Sequence, residues 1–399
     1  MQHFTPIENP SNAHFYGLDV HQDSICISFA QSYGEPIFIK HLANSPQDID
    51  LFFDEHQVPG ATVFTVYEAG GCGFHLHRHL EKRGITNLVA APSKIIKVSG
   101  EIKNDKRDSL KLTKLLRNHI LTGGKELHEV FVPEESAEAM QEVTRLRDFY
   151  KRQVKRTQNK ILALLRKYGF RYNQTKTRWG KTHRIWLEKV QFGSLIKQTV
   201  YRNLLNTLYE QEARVVAWDK ELDSFCDQWN QNRVVKALCT LKGIQILTAS
   251  TIVAEVGEFS RFKHPKRLMA YLGLVPSEYS SGKSVTRGRI TKAGNKRVRT
   301  LLIESSHAAG RLVKSKKAFL DTCPKDLPEE VLEHAYKAQI RLNKTYYRLL
   351  NSGKNSCVAK VAVARELAGF VWAIAVMIEC LDSKKQPMGN PSTPKKSVA

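Results

Sequence analysis

Two carboxylates three residues apart, Asp105 and Asp108, stand in the stretch Asn104-Asp105-Lys106-Arg107-Asp108-Ser109-Leu110-Lys111-Leu112. A helical apolar pattern begins there with Leu110, Leu112, Leu115 and Leu116. On a helix, positions i and i+3 share a face, so the two acids can aim at one point. Like charges on one face repel unless something neutralises them. A hard divalent cation does so, because Mg²⁺ favours oxygen ligands and takes a few carboxylates while keeping waters and substrate phosphates. The plainer alternative is a solvated first turn, since acids favour helix N-termini. Further acids arriving from elsewhere in the fold decide between the two.

The elements upstream supply them. His14 to Val20, Ser24 to Ala30 and Pro36 to Leu42 read as strands separated by short turns, which suggests an antiparallel meander. Pro46 to His56 reads as a helix, Ala61 to Tyr67 as a β-branched strand, Gly73 to Arg83 as a helix and Asn87 to Ala91 as a short strand. The order β-β-β-α-β-α-β-α combines an antiparallel start with parallel crossovers, hence a mixed sheet with helices on its faces. It resembles the ribonuclease H fold, in which strands one and four are neighbours. Asp19, in Gly17-Leu18-Asp19-Val20, ends the first strand, and Glu68, in Val66-Tyr67-Glu68-Ala69-Gly70, ends the fourth. Singly these are a turn former and a helix cap. Jointly with Asp105 and Asp108 they are costly to hold together without a cation, so Mg²⁺ or Mn²⁺ is the expected cofactor.

The chain has 399 residues and a net charge of +23, which points to two or more domains and a polyanionic partner, nucleic acid first. His128 to Val132 reads as a strand, and a long helical run follows from Glu134 to Tyr168. Residues 141–185 carry fourteen Lys and Arg against two acids, so one face, with Lys151, Arg152, Lys155 and Arg156, is read as binding nucleic acid rather than as merely solvated. Tyr168, Phe170, Tyr172 and Trp179 interleave with basic residues, a mixture that suits bases and phosphates of folded or single-stranded nucleic acid. A second helical run, Ile196 to Trp229, suggests an antiparallel coiled coil with the first.

In the last third, Leu238-Cys239-Thr240-Leu241-Lys242-Gly243-Ile244 leads into an apolar helix, Leu247 to Val256, and reads as a helix-hairpin-helix. Glycines in such a hairpin let backbone amides approach a phosphate. Ser280-Ser281-Gly282-Lys283 follows in what reads as a loop, with Arg287, Arg289 and Lys292 after it, and Asn295 opens a basic helix carrying Arg299. Between residues 283 and 317 there are eleven Lys and Arg and one acid, Glu304. A serine hydroxyl among cations could attack a phosphodiester, although a Ser-Gly pair by itself is most often an ordinary polar turn. Seven scattered cysteines form no CxxC pair and no zinc spacing, which suits a reducing cytoplasm and no disulfide framework. No signal peptide is seen at Met1 to Pro10. Leu367 to Leu381, apolar but interrupted by Glu379, reads as a buried helix rather than a membrane span.

Together these pieces resemble the bacterial insertion-sequence transposases that pair a RuvC-like DEDD domain with a C-terminal serine domain, relatives of the Piv invertase. The marks are Gly17-Leu18-Asp19-Val20-His21, Tyr67-Glu68-Ala69, Asn104-Asp105-Lys106-Arg107-Asp108, Leu241-Lys242-Gly243-Ile244, Ala254-Glu255-Val256-Gly257, Arg261-Phe262, Tyr271-Leu272-Gly273-Leu274-Val275-Pro276, Ser281-Gly282 and Ile290-Thr291-Lys292-Ala293-Gly294-Asn295. Their order and spacing cover roughly residues 14–310. The resemblance implies a RuvC-like domain over 1–133, a coiled-coil, RNA-binding region over 134–235 and a mostly helical serine domain over 236–382, while the Lys, Pro, Ser and Gly after Asp382 read as a disordered tail over 383–399. It implies Mg²⁺-dependent recombination of donor and target DNA, with Asp19, Glu68, Asp105 and Asp108 on the metal and Ser281, next to Ser280, as nucleophile. Arg287, Arg289, Lys292, Asn295 and Arg299 are expected on the nucleic acid. The resemblance also implies guidance by a structured bridge RNA and a homotetramer in which the serine of one subunit completes the metal site of another, with no membrane partner. The competing reading is a hydrolytic RuvC-like endonuclease that uses the metal site alone.

Overall fold

A computed structural model describes residues 12–56, 58–92, 104–124, 126–175, 177–281 and 284–385, without the side chains of 280–285 and 385. The chain divides into two compact units, Met1–Val132 and Pro133–Ala399.

The first unit is built on strands β1 (Ala13–Val20), β2 (Ser24–Ala30) and β3 (Ile37–Ala43), helix α1 (Pro46–Glu55), strand β4 (Thr62–Glu68), helix α2 (His75–Lys82), strand β5 (Thr86–Ala90) and helix α3 (Asp105–Leu121). This is the expected element order. Ser45 starts α1 by accepting from the Asp48 amide at 3.2 Å, with Pro46 in the first turn. The sheet order is β3-β2-β1-β4-β5, antiparallel across β1, β2 and β3 and parallel across β1, β4 and β5. The first and fourth strands are therefore neighbours. The strand expected over 128–132 is reduced to a single bridge between Glu129 and Ala90.

Period-two alternation gives the sheet two apolar faces. Tyr16, Leu18, Ile25, Ile27, Tyr67 and Val89 join Phe52 and Phe53 of α1 and Leu76 and Leu80 of α2 in one cluster. Ala13, Phe15, Phe64, Val66, Leu88 and Ala90 join Leu112, Leu116 and Ile120 of α3 in the other. Each fully buried Leu, Ile or Phe contributes about 1.5–3 kcal/mol relative to exposure. Helix α3 thus lies on the face that carries the odd-numbered residues of β1, which include Asp19.

The second unit begins with α4 (Glu135–Lys167), α5 (Lys181–Lys189) and α6 (Leu195–Gln228). Arg147 pairs with Asp219 at 2.8 Å and Thr157 donates to Gln211 at 2.8 Å, so partner numbers fall along α6 as they rise along α4. The two helices are antiparallel, as expected. Then come α7 (Asn232–Cys239), α8 (Ile246–Val256), α9 (Pro265–Tyr271), the hairpin β6 (Pro276–Ser281) and β7 (Ser284–Ile290), α10 (Lys296–Ser305), a 3-10 turn (Ser306–Gly310), α11 (Lys316–Leu320), α12 (Glu329–Asn351) and α13 (Ser356–Lys385). Ala137, Met140, Leu222 and Cys226 at the base of the long hairpin share one core with α7 to α13. Helix α13 is long and apolar enough to cross a membrane by length and composition. Val363, Ala364, Leu367, Ala368, Val371, Ile374, Ala375 and Ile378 lie buried in that core, as the reading of a buried helix expects. Glu379, the charge that interrupts the apolar run, accepts from the amides of Phe259 and Ser260, each at 2.8 Å. The helix continues through 383–385, past the expected start of the disordered tail, and residues 386–399 lie outside the described residues.

Candidate metal centre and nucleic-acid surfaces

Gly17 sets the distance between β1 and α3. A Cβ there would press into the Ser109 carbonyl and lie 2.5 Å from the Thr113 amide nitrogen, so only glycine lets the helix come this close. Ser28 and Ser109 share a buried hydroxyl contact of 2.5 Å at the same junction. Two residues beyond Gly17, on the same face, comes Asp19. The first turn of α3 is capped by Asn104, whose side chain accepts from the Lys106 amide at 3.0 Å. Asp105 and Asp108 sit in that turn, where the positive end of the helix dipole favours anions.

His21 Nε2 lies 3.3 Å from Asp19 Oδ2 and 3.5 Å from Asp105 Oδ2. Asp19, His21 and Asp105 each bring one ligand atom, all within 4.8 Å of one another, the one such group of three among the described residues. Burial holds the Asp19 carboxyl above its ordinary range, and the charges of Asp105 and Asp108 push it the same way, with His21 opposing. Asp19 Oδ2 and His21 Nε2 are screened from water, and their 3.3 Å approach is not a hydrogen bond for either atom. Buried polar atoms without a hydrogen bond, beside like charges, fit a divalent ion, which would supply the missing partner.

The sequence-predicted acids are thus brought together in part. Asp19 and Asp105 meet, and Asp108 acts on Asp19 through its charge. Glu68 ends β4 beside β1, one step past the Tyr67–Leu18 pair, at the same end of the sheet as Asp19. Its carboxylate does not join the three-atom group. His21 was missed as a candidate. Its signal was its place two residues after Asp19, just past the end of β1.

The serine stretch, expected in a loop, is a β-hairpin. Ser281 closes β6 and its backbone pairs with Ser284 of β7, while Gly282 and Lys283 and the Ser280 and Ser281 side chains lie outside the described residues. The turn after α9 nests against the end of this hairpin. Gly273 and Gly294 both have positive φ, and a Cβ on either would run into the other turn, at Ala293 or at Tyr271.

Residues 235–320 match the family model described as "Transposase IS116/IS110/IS902 family", and residues 16–170 match a model of DEDD transposases of the IS110 type, described as "Transposase". A Sinorhizobium fredii protein named "Putative transposase y4qE" is 35% identical over 367 residues, which span 90% of this chain and 88% of the relative. The chain belongs to the IS116/IS110/IS902 family of transposases. The transposase for insertion sequence element IS1533 of Leptospira borgpetersenii is 28% identical over 63% of this chain and 73% of its own length. The transposase for IS1111A of Coxiella burnetii is 26% identical over 63% of this chain and 67% of its own length. This transposase is therefore a DNA-processing enzyme of an insertion sequence, from a metal-dependent DEDD family.

On the transposase's second unit, Lys151, Arg152, Lys155 and Arg156 are all exposed along α4. Arg287, Arg289 and Lys292 are exposed on and just after β7, with Arg287 reaching Glu278 across the hairpin at 3.5 Å. Arg299 and Asn295 do other work. Arg299 is 8% exposed and donates to the carbonyls of Leu272 and Ala293 at 2.9 and 2.8 Å, so it ties α10 to the two nested turns instead of facing a ligand. Asn295 caps α10, accepting from the Arg297 and Val298 amides, and donates to Glu255 at 2.8 Å. Glu255 also meets Arg145 at 3.2 Å and Arg297 at 3.4 Å, which ties α4, α8 and α10 together.

Several of the interleaved aromatics also turn inward. Phe170, Trp179 and Trp186 pack against the buried residues of the hairpin tip, and Tyr172 and Trp179 set their rings edge-on to buried His183. They form a small core rather than an open stacking platform. Tyr168 stays partly exposed, with the Lys197 ammonium 4.4 Å from its ring. Gly243, read as opening a phosphate site, has φ +93 and faces the Ser305 carbonyl and Ala308 of its own unit. Its freedom serves internal packing between the α7–α8 turn and the end of α10.

Proposed function

We propose that this transposase is an RNA-guided recombinase that exchanges DNA strands through a covalent phosphoserine at Ser281, with Asp19, Glu68, Asp105 and Asp108 forming the metal end of a ribonuclease H-like, RuvC-like site. The observation that carries the reading is the exposed hairpin that ends on Ser281 and bears Arg287 and Arg289, with Lys292 just beyond it, in a chain that also holds a metal-competent acid cluster. A divalent ion at the acids would polarise the scissile phosphate. The Ser281 hydroxyl oxygen bonds to phosphorus while the bond from phosphorus to the sugar oxygen breaks. Its proton ends, net, on the released sugar oxygen. Arg287, Arg289 and Lys292 offset the charge that builds on the phosphoryl oxygens. The phosphoserine conserves the phosphodiester, so the reverse attack by a sugar hydroxyl rejoins strands without an energy source.

The family resemblance, which extends to the Piv invertase, supports a bridge RNA as guide, donor and target DNA as substrates and a homotetramer as the working assembly. The exposed row of Lys151, Arg152, Lys155 and Arg156 suits the RNA's phosphates. The test incubates the purified protein–RNA complex with labelled DNA, denatures it and maps any adduct by mass spectrometry. A phosphodiester-linked adduct at Ser281, lost in Ser281→Ala together with recombination, is the expected result. Cleavage that continues in Ser281→Ala with no adduct in the wild type makes the enzyme a hydrolytic endonuclease working from the acids alone.

A further inference from the structure

The acid cluster contains one donor that the four carboxylates do not account for. His21 is fixed from both sides of its backbone. Its amide donates to the Ser24 carbonyl at 2.8 Å, closing the turn between β1 and β2, and its carbonyl accepts from Asn44 Nδ2 at 2.8 Å. The ring thus leaves a pinned turn and brings Nε2 to 3.3 Å from Asp19 Oδ2 and 3.5 Å from Asp105 Oδ2. Neighbouring ligands on an octahedral ion with bonds of about 2.1 Å stand about 3.0 Å apart, so both separations lie within about half an ångström of a coordination edge. Nε2 and Oδ2 of Asp19 are buried, and neither makes a hydrogen bond.

The kind of donor matters. Mg²⁺ is a hard ion that favours oxygen and dehydrates reluctantly, while imidazole nitrogen suits first-row transition ions. A carboxylate-rich site with one imidazole suits several first-row transition ions, and Mn²⁺, which also takes carboxylate and water oxygens, is a paramagnetic one that reports bound nitrogen.

We propose that His21 Nε2 is a ligand of the centre beside Asp19 and Asp105, so that the centre holds its ion through a nitrogen as well as through carboxylates. The proposal rests on the metal reading given above and adds the nitrogen ligand. A competing arrangement keeps His21 as a cation between two carboxylates that gives way when an ion enters.

The experiment adds Mn²⁺ alone to the full-length protein and records electron spin-echo modulation, which reports nitrogen bonded to the ion. The wild type is expected to show ¹⁴N modulation, replaced by the ¹⁵N pattern after uniform ¹⁵N labelling, and this reading needs no variant. In His21→Gln and His21→Ala, checked for folding by circular dichroism, the nitrogen signal disappears. Mn²⁺ affinity falls about tenfold, equivalent to about 1.4 kcal/mol, while Mg²⁺ affinity measured by competition changes less than about threefold. Mn²⁺ bound without nitrogen modulation overturns the proposal and leaves the metal reading standing. No Mn²⁺ binding by the wild type, or binding undiminished in Asp19→Asn and Asp105→Asn, overturns both.

Discussion

At the residue scale, the chemistry of the first unit depends on where charge is unpaired. Asp105→Asn or Asp108→Asn is expected to lower DNA strand cleavage at least about a hundredfold, the loss typical of disturbing a metal site. DNA binding should persist, because removing negative charge cannot weaken Coulombic attraction to a polyanion. Wild-type cleavage in either variant, measured on labelled DNA, removes these acids from the reaction. Asp19 makes a second, thermodynamic prediction. Its carboxyl is held above the ordinary value of 3.8, chiefly by burial and then by Asp105 and Asp108. The ionised form is therefore less favourable in the folded protein than in the unfolded one. That cost is absent below 3.8 and complete above the raised value, so the metal-free protein loses stability as pH rises through the window between them. Asp19→Asn should flatten this pH dependence in denaturant unfolding. Metal at a hundred times its dissociation constant should stabilise the wild type by about 2.7 kcal/mol and leave Asp19→Asn almost unchanged.

At the element scale, the candidate site depends on the close approach of α3 to β1. The Gly17 contact with Ser109 and Thr113 leaves no room for a methyl group. Gly17→Ala should cost about 1–3 kcal/mol through overpacking, and more if the backbone cannot shift. It should also weaken metal binding, because any retreat of α3 carries Asp105 away from Asp19. Urea unfolding and metal titration of the same variant check both parts, and a stable variant with undiminished metal affinity would falsify the claim that this contact positions the acids. In the second unit the comparable elements are the two nested turns at Gly273 and Gly294, held by Arg299. They fix the base of the Ser281 hairpin, where the Thr291 and Lys292 amides donate to the carbonyls of Val275 and Gly273.

At the scale of the whole molecule, a net charge of +23 over 399 residues is the dominant long-range property. Part of it lies on α4, where Lys151, Arg152, Lys155 and Arg156 are exposed. Replacing all four by Gln should weaken binding of a structured RNA and flatten its salt dependence. Each phosphate contact contributes a slope of about 0.7 to 0.9, so four lost contacts flatten the log–log plot by roughly 3. An unchanged affinity and slope make this row a solvated helix face. Other cations on the chain are committed internally, as Arg147 is to Asp219 and Arg184 to Glu212. Total charge therefore overstates the surface available to a polyanion.

Much of the fold and part of the site were legible in the sequence because their signals are local. Alternation marked β2 and β3, a β-branched run marked β4, period-3.6 runs marked α4 and α6, and acids at a strand end and in a helix's first turn were visible as such. The apolar run Leu367 to Leu381 was readable as a core helix because Glu379 interrupts it, although the whole helix is long enough to span a membrane. What the sequence could not decide is which polar and aromatic residues face inward, because that depends on partners far along the chain. Arg299 looked like one more cation in a basic run, and only the carbonyls of Leu272 and Ala293 show that it is a strut. Tyr172 and Trp179 looked available to bases until His183 and Trp186 filled the space beside them. His21 carried no reading of its own, and the approach of α3 across Gly17 gave it two carboxylate neighbours. Residue type and periodicity determined the elements and their charge. The tertiary contacts decided each group's environment, since burial and the distance to other charges set what a side chain can do.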